Sequence, residues 1–136
     1  MFEITVEPRF YETDAFGHIN NTVVTCWFET ARASLFKIFD EQNDPSLLPL
    51  ILARVEVDYV AQIYYGYEVT LRTAIERIGT ASFVVVQEAW QQGQCVAKGK
   101  AVQVFFSHET QRSAPLPDHY RSILDTHRVP LPATAP

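Results

Sequence analysis

Thiol chemistry is almost missing from this chain of 136 residues, which has two cysteines, Cys26 and Cys95, and no CxxC pair. A disulfide framework or cysteine zinc site is thereby excluded, and both thiols read as reduced, small core hydrophobes. Positive charge is also scarce. Eleven Lys and Arg stand against sixteen Asp and Glu, giving a net charge of −5 and a pI near 5.3. Nucleic-acid binding needs the opposite, a basic stripe that neutralises phosphates. No apolar run approaches the roughly eighteen residues of a membrane span, and MFEITVEPRF alternates like a strand rather than opening a signal peptide. The cytoplasm is therefore the expected compartment, with no membrane partner. The four histidines (His18, His108, His119, His127) are scattered, and no HExxH, GxSxG, Walker or strand-linked GxGxxG sequence occurs. Neither a metal nor a cofactor is expected, and serine-hydrolase and nucleotide-motif chemistry lack support.

What is present is a globular composition, 47% hydrophobic and 12% aromatic, in a length that fits one domain. The domain is expected over residues 1–126, with a proline-rich and loosely ordered tail over 127–136. A strand is expected from Phe2 to Phe10. Between Asn21 and Phe39, Val24, Trp27, Phe28, Ala31, Leu35, Ile38 and Phe39 recur at helical spacing, and Val23, Cys26 and Phe36 widen the stripe, so the helix should be wrapped on several sides. Strands follow at Ala53–Val60, Glu68–Ile78, Ser82–Gln91 and Cys95–Ser107. Their short separators contain Gly66, Gly79 and Gly93 and allow hairpins but not parallel crossovers, which predicts an antiparallel meander. In the last strand Ala97, Gly99 and Ala101 share one face, a groove for large helix side chains, while Lys98 and Lys100 share the other. Pro115–Leu124 reads as one short helix. An α+β architecture results, a curved antiparallel sheet of about five strands wrapped around one long helix.

The segment RFYETDAFGHINNTVVTCWFETAR holds the chemistry. Asp14 lies in a short turn just before the helix, where unpaired N–H groups and the positive end of the macrodipole polarise a carbonyl. An Asp before a Gly turn also serves as a turn or capping residue, and Asn20 and Asn21 suit a helix cap. His18 can touch substrate, orient Asp14 or bond the loop backbone. Glu29 and Arg32, three apart, read as a helix-surface ion pair.

Tyr11-x-Thr13-Asp14-Ala15-x-Gly17-His18-Ile19-Asn20-Asn21 and Trp27-Phe28-Glu29-x-Ala31-Arg32 carry a resemblance that spans nearly the whole chain. Val57-Asp58-Tyr59, Arg77-Ile78-Gly79-x-Ala81-Ser82-Phe83 and Val104-Phe105-Phe106 support it. The chain resembles the hotdog-fold thioesterases of the 4-hydroxybenzoyl-CoA thioesterase-like superfamily. The resemblance implies an acyl-CoA thioesterase, working as a homodimer or homotetramer, with Asp14 as the catalytic carboxylate. It also implies that the backbone N–H near Asn21, beside Asn20, holds the thioester oxygen. Gly17, His18, Val24 and Tyr59 are the expected substrate-lining residues, Val24 standing where relatives carry an aromatic side chain. Arg77, Ser82, Lys98 and Lys100, with Arg54 and Arg112, are the candidates for coenzyme A. A hydratase of the same fold is a competing reading, although its GDxNPxH loop sets Asp and His five apart, not four. An acyl-thioester binding module without catalysis is another.

Overall fold

The computed structural model describes residues 1–133. Strand β1 (Phe2–Val6) is shorter than expected. Pro8, which has no N–H to donate, follows it, and Phe10–Glu12 form a 3-10 turn. Helix α1 (Asn21–Phe36) begins where the caps predicted, with Asn20 Oδ1 accepting from the Thr22 N–H at 3.0 Å. It ends a turn early. Ile38 and Phe39 continue in tight turns, yet Phe39 stays buried, its ring stacked on Phe83 at 5.7 Å.

Strands β2 (Leu50–Tyr59), β3 (Val69–Ile78), β4 (Ser82–Gln91) and β5 (Gln94–Ser107) match the expected segments to within a few residues. Their order in the sheet is β1-β3-β4-β5-β2, antiparallel throughout. Only β3, β4 and β5 form a meander. The connection over 60–68 is long enough to carry the chain past two strands, β5 and β4, so β2 pairs with β5 and becomes an edge instead of joining β3. A two-residue strand β6 (Arg112–Ser113) pairs with the end of β5, and helix α2 (Asp118–Asp125) starts after Pro117.

The sheet curls around α1, the hotdog arrangement. Trp27, Phe28 and Val24 enter a cluster with Val69, Leu71, Ala89 and Ala97. Leu35 and Phe39 enter a second with Ile75, Phe83, Val85, Ala101 and the α2 residues Tyr120 and Leu124. The expected small-residue groove is real, because a Cβ on Gly99 would lie 2.8 Å from Phe28 Cε2. A polar layer separates the two clusters. Arg32, which is 2% exposed, donates to Gln87 Oε1 at 3.0 Å, while Gln87 Nε2 donates to the Phe28 carbonyl at 2.9 Å and Thr73 Oγ1 at 3.0 Å. Arg32 is thus not a surface residue paired with Glu29. Burial lowers its pKa from the usual value, and its Nε has no hydrogen-bond partner among the described residues.

The helix is buried on one face only, with Asn21, Thr22, Cys26, Glu29, Thr30 and Ala33 exposed. Cys26 is therefore a surface thiol, not a core residue. Cys95 is half-buried, and burial raises its pKa. The segment after α2 is packed as far as Ala133. Leu131 is fully buried, the His127 carbonyl accepts from the Ile75 N–H at 3.0 Å, and the Ala133 N–H donates to both oxygens of buried Glu88 at 3.1 and 3.0 Å. The remainder of the expected loose tail, 134–136, lies outside the described residues. No helix among the described residues is long and apolar enough to cross a membrane.

Candidate active site

Residues 13–19 close a tight loop through a bridge between Thr13 and Ile19, with the Asp14 N–H donating to the His18 carbonyl at 2.7 Å. The turn needs a left-handed residue at its corner, and Gly17 supplies it with φ +82°. Asp14 organises this turn with one oxygen: Oδ1 accepts from the Phe16 N–H at 2.8 Å and the His18 N–H at 3.2 Å. The other oxygen, Oδ2, makes no hydrogen bond among the described residues. The turn role therefore occupies one oxygen of this half-buried carboxylate and leaves the other open among the described residues.

The helix start lies directly downstream. Asn20 Oδ1 takes the Thr22 N–H and the Asn20 carbonyl takes the Val23 N–H at 3.0 Å, which leaves the Asn21 N–H without an acceptor among the described residues. Tyr59, at the end of β2, donates its hydroxyl to the Asn21 carbonyl at 3.0 Å. The structure thus brings Asp14, Gly17, His18, Asn20, Asn21 and Tyr59 to one end of α1.

Two supports of this end were not legible in the sequence. Glu12 accepts from Trp27 Nε1 at 3.2 Å and from the Arg9 N–H at 2.7 Å, and its carbonyl accepts from Asn20, tying loop to helix. Buried Gln91 bonds both the N–H and the carbonyl of Tyr64, whose ring meets His18 edge-on at 5.3 Å. His18 is thereby held against the 60–67 loop. A Gln ending a strand gives no pattern from which such a clamp could be read.

The other expected residues lie elsewhere. Val24 is 1% exposed and belongs to the core, since its place on α1 turns it toward the sheet and not toward the loop. Lys98 and Lys100 project from the sheet face opposite α1, and Lys100 is ion-paired with Glu76 at 2.9 Å, which raises its pKa. Arg77 and Ser82 flank the β3–β4 hairpin. That hairpin packs beside the C-terminal half of α1, a helix about 24 Å long by its sixteen residues. A separate groove of about 770 Å³ runs between the end of β1 and α1 past Arg9, Glu12, Cys26 and Trp27, and contains neither Asp14 nor Tyr59. Among the described residues no group of three or more His, Cys, Asp or Glu side chains is placed to hold a metal ion.

Comparison with known proteins agrees with this architecture. The structure of a predicted thioesterase from Bacillus stearothermophilus superposes with a TM-score of 0.88 at 44% identity, covering 93% of this chain and 95% of that one. A Thermus thermophilus thioesterase, crystallised with coenzyme A and Zn, gives a TM-score of 0.83 at 30% identity over 93% of this chain and 94% of its own. An uncharacterised Bacillus subtilis protein, YsmA, is 27% identical over 120 residues, 88% of this chain and 82% of that protein. The family model of the thioesterase-like superfamily matches residues 8–124. With that match covering most of its length, the chain belongs to the thioesterase-like superfamily.

Proposed function

We propose that this protein hydrolyses acyl-CoA thioesters and that Asp14 carries the chemical step. The observation behind the reading is the division of labour within the Asp14 carboxylate. Oδ1 is anchored by two backbone N–H groups, and among the described residues Oδ2 is unclaimed on the loop that leads into the equally unpaired N–H of Asn21. Hydrolysis of a thioester builds negative charge on the carbonyl oxygen. A helix N-terminus stabilises that charge without reorganising, while a fixed carboxylate activates water or attacks the carbonyl carbon itself. The thiolate leaves readily, so no strong acid is required. Gly17, His18 and Tyr59 would line the acyl end. The relative crystallised with coenzyme A supports the choice of thiol carrier, and the basic groups Arg54, Arg77, Lys98 and Lys100 are the candidates for its phosphates.

Two copies acting together complete this reading. β2 offers ten residues with one side unpaired and with exposed Ile51, Leu52, Val55 and Tyr59, an edge that pairing with a second copy would close. Both thiols are free, which fits action in a reducing compartment such as the cytoplasm.

The test is Asp14→Asn assayed with a panel of acyl-CoAs and a thiol-detecting reagent. Asn keeps an oxygen for the Phe16 and His18 N–H groups, so folding should be unchanged. Loss of the charge should lower kcat about 10²- to 10⁴-fold, or about 2.7 to 5.4 kcal/mol of barrier. Turnover within threefold of wild type would reduce Asp14 to a turn residue.

A further inference from the structure

We infer that Gln91 is a positioning residue for Asp14, acting on the carboxylate through Tyr64 and His18. The inference rests on the reading of Asp14 as the reacting group and adds what aims it. Gln91 ends β4, is 4% exposed, and takes no part in the chemistry proposed above. Its amide is nonetheless committed to one segment. Oε1 accepts from the Tyr64 N–H at 2.9 Å, while Nε2 donates to the Tyr64 carbonyl at 2.8 Å and the Tyr67 carbonyl at 3.0 Å. Turning the amide over would set donor against donor and carbonyl against carbonyl, so the pattern admits one orientation.

The amide holds half of a miniature sheet. His18 and Tyr64 are bridged antiparallel, and the Ile19 N–H donates to the Ile63 carbonyl at 2.8 Å. A bond at that position makes His18 and Tyr64 a pair whose side chains meet while their own N–H and C=O groups point apart. Their rings accordingly meet at 5.3 Å. On the far side of His18 the partner is Asp14, whose N–H donates to the His18 carbonyl at 2.7 Å and whose Oδ1 accepts from the His18 N–H at 3.2 Å. On the far side of Tyr64 the partner is Gln91. Two short pieces of backbone are thus closed by Asp14 on one flank and by the Gln91 amide on the other, each standing where a further strand would lie.

Burial alone does not fix the 60–67 segment. Only Ile63 is buried within it, and Tyr64, Tyr65 and Tyr67 are exposed. The Val60 and Ala61 N–H groups both reach the Val96 carbonyl at its start, so among the described residues the hydrogen bonds that hold Tyr64 are those of Gln91. Without them Tyr64 is free to drift, and the bridge and the direction of the His18 N–H go with it. Oδ1 of Asp14 then keeps only the Phe16 N–H, at 2.8 Å, about which the carboxylate can turn. With two donors on one oxygen the other oxygen points one way; with one donor it sweeps an arc. Misplacement by about 1 Å costs a reaction on the order of a hundredfold even when no group that touches substrate has been replaced.

Gln91→Met tests this, since it keeps a similar volume and removes all three bonds. It should lower kcat for acyl-CoA about 10- to 100-fold with KM within about threefold of wild type, a split that lost substrate binding does not give. Amide hydrogen exchange should quicken at His18 and Tyr64 while β3, β4 and β5 keep wild-type protection. If the core loses protection as well, Gln91→Asn, one methylene short of Tyr64, carries the same expectation. The decisive arm is Asp14→Asn, which retains an acceptor for the Phe16 and His18 N–H groups. On that chain Gln91→Met should change the residual turnover by less than about threefold, because the group it aims is already gone. Equal losses in both backgrounds, or a Gln91→Met kcat within about threefold of wild type, overturn the positioning role and leave Asp14 as the reacting group. Full turnover by Asp14→Asn overturns both.

Discussion

Gly99→Val should destabilise this protein more than any other single methyl-scale change in β5. A Cβ built on Gly99 stands 2.8 Å from Phe28 Cε2 and 2.9 Å from Cδ2, and 3.5 Å from the Glu56 carbonyl oxygen. Carbon atoms in good contact sit about 3.5 to 4.0 Å apart, so ring and strand must separate by most of an ångström. Neither moves freely. Phe28 is buried on the core side of α1, and β5 is hydrogen-bonded on both flanks, to β4 and β2. Alanine alone should cost about 1 kcal/mol after its gain in backbone entropy, and valine, with two more methyls at the same wall, about 3 kcal/mol, the upper end for overpacking. At roughly 3 to 5 °C per kcal/mol for a domain of this size, the valine variant should melt about 10 °C lower. The assay is thermal unfolding by circular dichroism at fixed protein concentration, because association shifts the midpoint. Phe28→Leu adds the decisive arm: it should relieve part of the valine penalty, with coupling above about 0.5 kcal/mol. A Gly99→Val midpoint within about 1 °C of wild type, or strict additivity with Phe28→Leu, would refute the contact.

Two further outcomes follow from the surface. His127 stacks on Phe2 at 4.2 Å, and burial, followed by the N-terminal ammonium, lowers its pKa from 6.5. Its neutral form is the one favoured by folding, so its contribution is full above about pH 6.5 and is lost as pH falls toward the depressed value. Denaturant titrations between pH 7.5 and 5 should therefore show a shallower fall for His127→Gln than for wild type, and equal slopes would exclude the linkage. Lys98→Ala with Lys100→Ala should raise KM for acyl-CoA and weaken its salt dependence with kcat nearly intact. An unchanged KM would leave Arg54 and Arg77 as the phosphate contacts.

The elements were legible because each was marked locally: Asn20 as a cap, Gly93 in a two-residue turn, Ala97, Gly99 and Ala101 as a small-residue face. The Asp14 loop was legible for the same reason, since its turn chemistry lies within five residues. Strand order was not, because the partner of β2 depends on where the 60–68 connection travels, and nothing in Ala61 to Glu68 states a direction. Arg32 was misread as a surface charge. Its spacing from Glu29 is right for an ion pair, and only the tertiary position of Gln87 reveals that the guanidinium points inward. Cys26 failed for the opposite reason, an apolar-looking position on the one helix face that the sheet leaves open.

That buried layer gives the helix a single seating. A stripe of Val24, Phe28, Ala31 and Leu35 over a smooth apolar sheet would tolerate sliding by a turn, about 5.4 Å, at modest expense. With Arg32, Gln87, Thr73 and the Phe28 carbonyl in the interface, the same slide carries a guanidinium into one of the apolar clusters and takes from Gln87 both its Arg32 donor and its Phe28 acceptor. An uncompensated buried charge costs several kcal/mol, enough to empty every alternative seating. The start of α1 thus keeps its place beside Asp14 because of a polar lock two to three turns further along, and under the proposed mechanism the loop carboxylate meets the same N–H in every molecule.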